Sequence, residues 1–223
     1  LMQVNWPFRL QQNSPSFKLV GQSLTPMRGL SGASTIVPSM NAHWEAKMDV
    51  QVRGKEAQLQ FEAFIACMEG YIGTTLVPVK HFHGPLDSDG LPLSQPRVGR
   101  ISDSGTMEHW GLGTDSINMA QLRSSVVARA TIVEVDYINT AGIRPGHFFQ
   151  IGKSLCKAQN VWEEADGVRV QFQPPLREAA AAGAKLVLDS PVLNMRLSNP
   201  DSIDINGMSR TTQYDSLAFE EAV

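Results

Sequence analysis

The stretch WEAKMDVQVRGKEAQLQFEAFIACMEGYIGTTLVPV, Trp44 to Val79, decides the fold. It opens with alternation: Trp44, Ala46, Met48, Val50 and Val52 are apolar, and Glu45, Lys47, Asp49 and Gln51 between them are polar. Successive side chains of a strand point to opposite faces, so this period predicts a half-buried strand, one face on a core and one wet. The period then changes. From Lys55 to Glu69, Ala57, Phe61, Phe64, Ile65 and Met68 fall at helical spacing, with Glu56, Gln58, Gln60 and Glu62 among them. That pattern predicts one amphipathic helix over 55–69, with Gly70 as its stop. The stripe Phe61, Phe64, Ile65 and Met68 is read as cover for the neighbouring sheet. The other reading is a docking surface for another subunit. Strand character returns in Tyr71 to Val79, with Thr74, Thr75, Leu76 and Val77, giving strand, helix, strand.

Working outward, the N-terminal side is patchier. Phe17, Leu19, Leu24 and Met27 predict short strands, broken by Pro15, Pro26 and the glycines Gly29 and Gly32. On the other side, His81 to about Ser125 loses all periodicity and fills with Gly, Pro, Ser and Asp. That is long for a connection inside one domain, and it predicts an extended arm. Strand signals then crowd together: Val126 to Tyr137, Phe148 to Ile151 after the turn Arg144-Pro145-Gly146, and the alternating Val168, Val170 and Phe172. Lys185 to Leu188 and Val192 to Leu197 complete the set, divided by Asp166-Gly167, Pro174-Pro175 and Ser190-Pro191. Short strands at such spacing predict a small β-barrel or sandwich. The alanine-rich Glu178 to Ala184 is expected to hold at most a turn or two of helix. Tyr214 to Glu221, with Leu217 and Phe219 on one face, reads as a final strand that returns to the first module.

Composition excludes more than it selects. With 42% hydrophobic and 18% charged residues among 223, the chain has the balance of a folded globular protein. A net charge of -3 supplies no basic field for phosphates, so specific nucleic-acid binding is not expected. No run nears the about eighteen consecutive apolar residues of a membrane span, and no basic segment followed by an apolar run opens the chain, so neither insertion nor secretion is expected. Cys67 and Cys156 permit at most one disulfide and have no metal-ligand spacing; they are read as reduced, buried or inert. An aromatic share of 7%, with Trp6, Trp44, Trp110 and Trp162 scattered, weakens the case for an aromatic-lined sugar or base platform.

Several groups of residues invite a chemical reading. His81 and His83 in HFHG would point to one side of a strand, as two imidazoles gripping a metal do, and a metal-dependent hydrolase would use them. No cysteine or paired carboxylate stands in register with them, and His43, His109 and His147 are dispersed, so structural or surface roles are expected. Asp87-Ser88-Asp89-Gly90 has the alternating oxygens of a calcium loop but lacks its later glycine and glutamate, which leaves a polar turn. Ser31 in GLSGAS is no nucleophile elbow. Gly111 and Gly113 have neither a preceding strand nor a following lysine, as a phosphate-cradling loop requires. Glu163, Glu164 and Asp166, followed by Gly167, read as a solvated hairpin tip; as a catalytic pair they would have to meet across a cleft. No catalytic residue, cofactor or metal ligand is assigned, although a triad assembled from distant positions stays open.

Two segments together resemble the distal tail proteins of long-tailed, siphovirus-like phages. The first is EAQLQFEAFIACMEGYIGTTLVPV, in which Phe64, Ile65, Gly70 and Gly73 match the helix, glycine and strand of that family. The second is IRPGHFFQIGKSLCKAQNV with VRVQFQPPLREAAAAGAKLVLDSPVLNMRL. There Pro145, Gly146, Phe148, Gly152, Pro174, Pro175, Leu176, Arg177, Gly183, Pro191 and Leu197 match. Tyr71 stands where the family commonly has a basic residue, and His147 where an acidic one is usual. The resemblance implies a mainly β protein: a tail-tube-like β-sandwich flanked by one helix, with a small β-barrel or sandwich domain inserted before the last strand. The divisions expected are 1–80 with 198–223 as the sandwich, 81–125 as the arm, and 126–197 as the inserted domain. It further implies a non-enzymatic virion protein, assembled in the host cytoplasm, that forms a hexameric ring between tail tube protein and hub or baseplate protein. The alternatives are another tail-tip component, the tube protein itself, or a carbohydrate- or receptor-binding β module.

Overall fold

A computed structural model describes residues 3–6, 11–28, 34–37, 39, 41–79, 83–86, 119–138, 140–164, 167–189, 191–203 and 213–222. They form strands β1 (Gln3–Val4), β2 (Gln11–Val20), β3 (Met27–Arg28), β4 (Ser34–Thr35), β5 (His43–Val52) and β6 (Thr74–Pro78), with helix α1 (Lys55–Met68) before β6. There follow β7 (Met119–Leu122), β8 (Ile132–Tyr137), β9 (Phe148–Ile151), β10 (Ser154–Glu164), β11 (Gly167–Gln173), β12 (Lys185–Val187), β13 (Val192–Leu197) and β14 (Gln213–Glu221). The protein is mainly β, with one α-helix among the described residues. It divides into two compact units, 1–77 with 193–223, and 78–192.

The first unit is built on a mixed six-stranded sheet ordered β1-β6-β13-β14-β5-β2. The strand with the clear alternation lies between β14 and the edge strand β2. β5 buries Trp44, Ala46, Met48, Val50 and Val52 and turns the residues between them outward. β14 runs antiparallel to it, so Leu217 lies opposite Met48 and Phe219 opposite Ala46. Cross-strand pairs of this kind are the unit of sheet stabilisation. On the other side, β2 is one ten-residue strand, not the broken short strands expected around Pro15. A register shift between Asn13 and Ser16 takes up the proline, and β2 is the edge of the sheet, where a missing N–H is tolerated. Leu24 and Met27 lie on the surface, outside any core.

Helix α1 buries Ala57, Phe61, Phe64 and Met68 and lies against β1 and β5. Ile65 is half-buried. The stripe is therefore core, and burying each phenylalanine stabilises the unit by about 1.5–3 kcal/mol. Trp6 links helix to sheet, its ring 5.6 Å edge-on from Phe64 and 6.0 Å from Phe219. The helix ends one residue earlier than expected, at a left-handed Glu69 with φ 45°. The chain then doubles back so tightly that the Gly73 N–H donates to the Met68 carbonyl at 2.8 Å. Tyr71 and Ile72 belong to that turn and are exposed, so the following strand begins at Thr74 and not at Tyr71.

In the second unit, six antiparallel strands close into a barrel, β10-β11-β8-β7-β12-β9 and back to β10. β9, β10 and β11 are joined by hairpins, and β12 returns to lie beside β9, which is a Greek-key arrangement. Among the described residues fifteen buried ones form the core, with Phe149 and Phe172 meeting edge to face at 5.6 Å within it. Glu178 to Ala184 holds a bridge and a turn, within the upper limit of a turn or two of helix set for it. Three sequence readings change here. Val126 only bridges to Ala180, and the strand starts at Ile132. Met119–Leu122, expected in the arm, pairs with β8 and β12 as a barrel strand. Val192–Leu197, expected in the inserted domain, is hydrogen-bonded into the first unit's sheet, because its period-two pattern buries Leu193, Met195 and Leu197 there. Residues 87–118 of the expected arm lie outside the described residues.

Candidate functional site

Strands β10, β11 and β8 are neighbours in the barrel wall, and their register stacks side chains in rows across it. Trp162 stands opposite Arg169, and Arg169 opposite Glu134. In the next row Asn160 faces Gln171, which faces Ile132. Opposed residues share a face, so each row is one line of side chains on the outside of the barrel. Within the first row the Arg169 guanidinium lies 3.3 Å from a Glu134 carboxylate oxygen, and the Ser124 hydroxyl donates to the other oxygen at 3.4 Å. In the second row the Asn160 amide donates to the Gln171 side-chain carbonyl at 2.8 Å.

The loop after β7 makes this face into a groove. Val126 and Ala180 exchange backbone hydrogen bonds at 2.8 and 2.9 Å. Arg129 donates to the Leu176 carbonyl at 2.8 Å, and Leu176 to the Ala130 carbonyl at 3.0 Å. The wall is thus held by main-chain bonds at both ends. The open groove beside it measures about 810 Å³. It leaves large apolar groups in water, Trp162 at 43%, Ile132 at 48% and Val127 at 73% exposure. Glu163 joins its lining. Nearby, Arg123 is paired with Asp136 at 2.7 Å. Tyr137 is held above its ordinary pKa chiefly by burial, opposed by the Ile143 N–H that its oxygen accepts and reinforced by the Glu163 charge. What the groove offers is recognition: an indole face, aliphatic methyls, and hydrogen-bond donors and acceptors side by side.

Of the acidic residues singled out in sequence, Glu163 lines this groove, Glu164 pairs with Gly167 at the hairpin end of β10, and Asp166 lies outside the described residues. The second carboxylate at the groove is Glu134, which sequence reading did not select. Its signal was present in the alternation of Val133 and Val135 around it, but its partner Arg169 is set by strand register alone. Trp162, counted only as scattered, is the groove's aromatic face. His83 is exposed, while His81, Ser31, Asp87 to Gly90, His109, Gly111 and Gly113 lie outside the described residues. His147 closes its own turn, its ring nitrogen accepting from Arg144 N–H at 3.1 Å, and His43 contacts the Asn41 carbonyl at 3.1 Å. Among the described residues no group of three or more His, Cys, Asp or Glu could hold a metal ion. Both cysteines are free thiols, Cys156 buried and Cys67 exposed. Among the described residues no helix is long and apolar enough to cross a membrane. No family model matches the chain, and no curated protein matches its sequence.

Proposed function

We propose that the chain is a structural subunit of a phage tail, of the distal kind. It forms a hexameric ring at the end of the tail tube and joins the tube to the hub or baseplate, with no catalytic role, no cofactor and no specific nucleic acid. The observation that carries this reading is the placement of the barrel. A closed barrel is threaded between β6 and β13, neighbours in a sheet that bears the one α-helix of the described residues; an insertion into a helix-bearing sheet is what the tail-protein resemblance implies, although two strands, β13 and β14, follow the barrel and not one. In this reading the first unit is a tail-tube-like sandwich and the second is the inserted domain. Its sheet ends at β2, so the outer edge of a ten-residue strand pairs with no strand among the described residues. An open edge is a ready surface for a heterologous contact, and such contacts close into rings when the rotation allows. Mass photometry and electron microscopy of the purified chain, alone and with tail tube protein, are expected to show a six-subunit ring that caps the tube. A strictly monomeric particle that joins neither tube nor hub would sink the proposal. Another tail-tip component or the tube protein itself remains the neighbouring assignment, and the position of the ring in assembled tails separates them.

A second reading, a carbohydrate- or receptor-binding β module, is favoured by one observation: the exposed indole of Trp162 in a walled groove.

A further inference from the structure

We propose that the groove over β10, β11 and β8 binds a neutral oligosaccharide. This rests on the second reading above and gives it a site and a ligand class; ring assembly neither requires nor excludes it.

The chemistry of a sugar matches the two rows. One face of a pyranose ring presents C–H groups, which suit the electron-rich face of an indole, and Trp162 is 43% exposed at the groove. The ring's edge carries hydroxyls, each of which donates and accepts at once. Beside Trp162 the Arg169 and Glu134 pair offers donors and acceptors in one line, at 3.3 Å from each other. One row on, just beyond the groove's lining, the Asn160 and Gln171 amides extend that offer. The sign of the charge selects among sugars. Glu134 and Glu163 line the groove with one guanidinium, that of Arg169, so the lining carries a net negative charge and an acidic glycan or a phosphate meets net repulsion.

A peptide is the poorer occupant. Peptides commonly add to a free strand edge, and β8, β10 and β11 each have a neighbour on both sides in the closed barrel. The volume, about 810 Å³, falls in the usual range for small-ligand sites. The bonds between Val126 and Ala180 hold the wall in place before any ligand arrives, which lowers the cost of ordering it.

The test uses the full chain on an array of neutral and acidic oligosaccharides, followed by calorimetric titration with the best neutral tri- to hexasaccharide. Neutral glycans are expected to bind. Trp162→Ala should weaken binding about tenfold or more and Trp162→Phe about threefold, since the phenyl ring keeps part of the platform. Arg169→Gln should weaken it about fivefold by removing charged donors. Both positions are on the surface, and circular dichroism checks the fold; two separate positions keep the result readable if one variant misfolds. Binding of acidic glycans alone would overturn the neutral class while leaving a receptor-binding role. Neutral binding unchanged by all three variants would overturn the site. No glycan bound at all would remove both the inference and the reading it rests on, without touching the ring, which mass photometry tests separately.

Discussion

Gly70 and Gly73 stand in the same turn but are needed for different reasons. Gly70 has φ +68° with open space around it, so alanine there meets only the strain of a left-handed backbone, about 1 kcal/mol. At Gly73 a Cβ would come within 2.7 Å of both the Met68 Cα and the Met68 carbonyl oxygen, main-chain atoms that cannot swing aside. Urea unfolding is therefore expected to rank Gly73→Ala as the costlier change, by about 2 kcal/mol or more. The sequence marked both glycines, one as a helix stop and one as part of a strand. It could not separate strain from collision, because the collision depends on a chain reversal that spacing does not encode. Tyr137 gives a pH signature at the same scale. Burial raises its pKa above 10.0 in the folded chain, so its contribution is complete below that value. Above it the unfolded chain gives up its proton first, and stability falls as pH rises through the folded value. Tyr137→Phe should flatten that alkaline limb in unfolding curves measured across pH 9 to 11, around the ordinary phenol value.

At the scale of elements, α1 shows what a pattern can deliver. Phe61 is 2% exposed, and Phe61→Ala is expected to cost about 3–5 kcal/mol, whereas Leu59, 55% exposed on the other side, should change by about 0.5 kcal/mol or less as alanine. Thermal unfolding of the two variants reads the difference directly. The helix and β5 were legible because each keeps one period over its whole length. β10 was not recognised, though it is the longest strand among the described residues, with eleven residues. Its partner register shifts between Ala158 and Asn160, so the buried Cys156 and Ala158 fall out of phase with the exposed Asn160 and Trp162 that follow. A bulge of this kind bends a strand around a barrel and erases the alternation that would reveal it. The groove was hidden for a related reason: Trp162 and Arg169 meet across the hairpin of the unrecognised β10, and Glu134, 35 residues before Arg169, joins them only through the pairing of β11 with β8.

For the whole molecule, the sequence showed two β modules and a return to the first, but it misplaced both borders. Met119–Leu122 lacks any run longer than four residues, and Val192–Leu197 follows the barrel so closely that only its pairing assigns it to the sheet. The chain leaves the sheet at the end of β6 and re-enters at β13, and at that crossing the Val79 N–H donates to the Pro191 carbonyl at 2.9 Å. A variant in which a short Asn-Gly turn replaces the chain between Val79 and Pro191 should keep helical circular dichroism and cooperative unfolding. Loss of both would mean that the sheet needs the insert. The same crossing sets an order for folding. Joining β6 to β13 across about 110 residues of loose chain costs about 3 kcal/mol more in closure entropy than joining them across a four-residue turn. A barrel that has already folded brings its own two ends together at that hydrogen bond, and a distant pairing becomes a local one. The inserted unit is then a clasp that lets the sheet close quickly, and slowing barrel formation should slow the sheet with it.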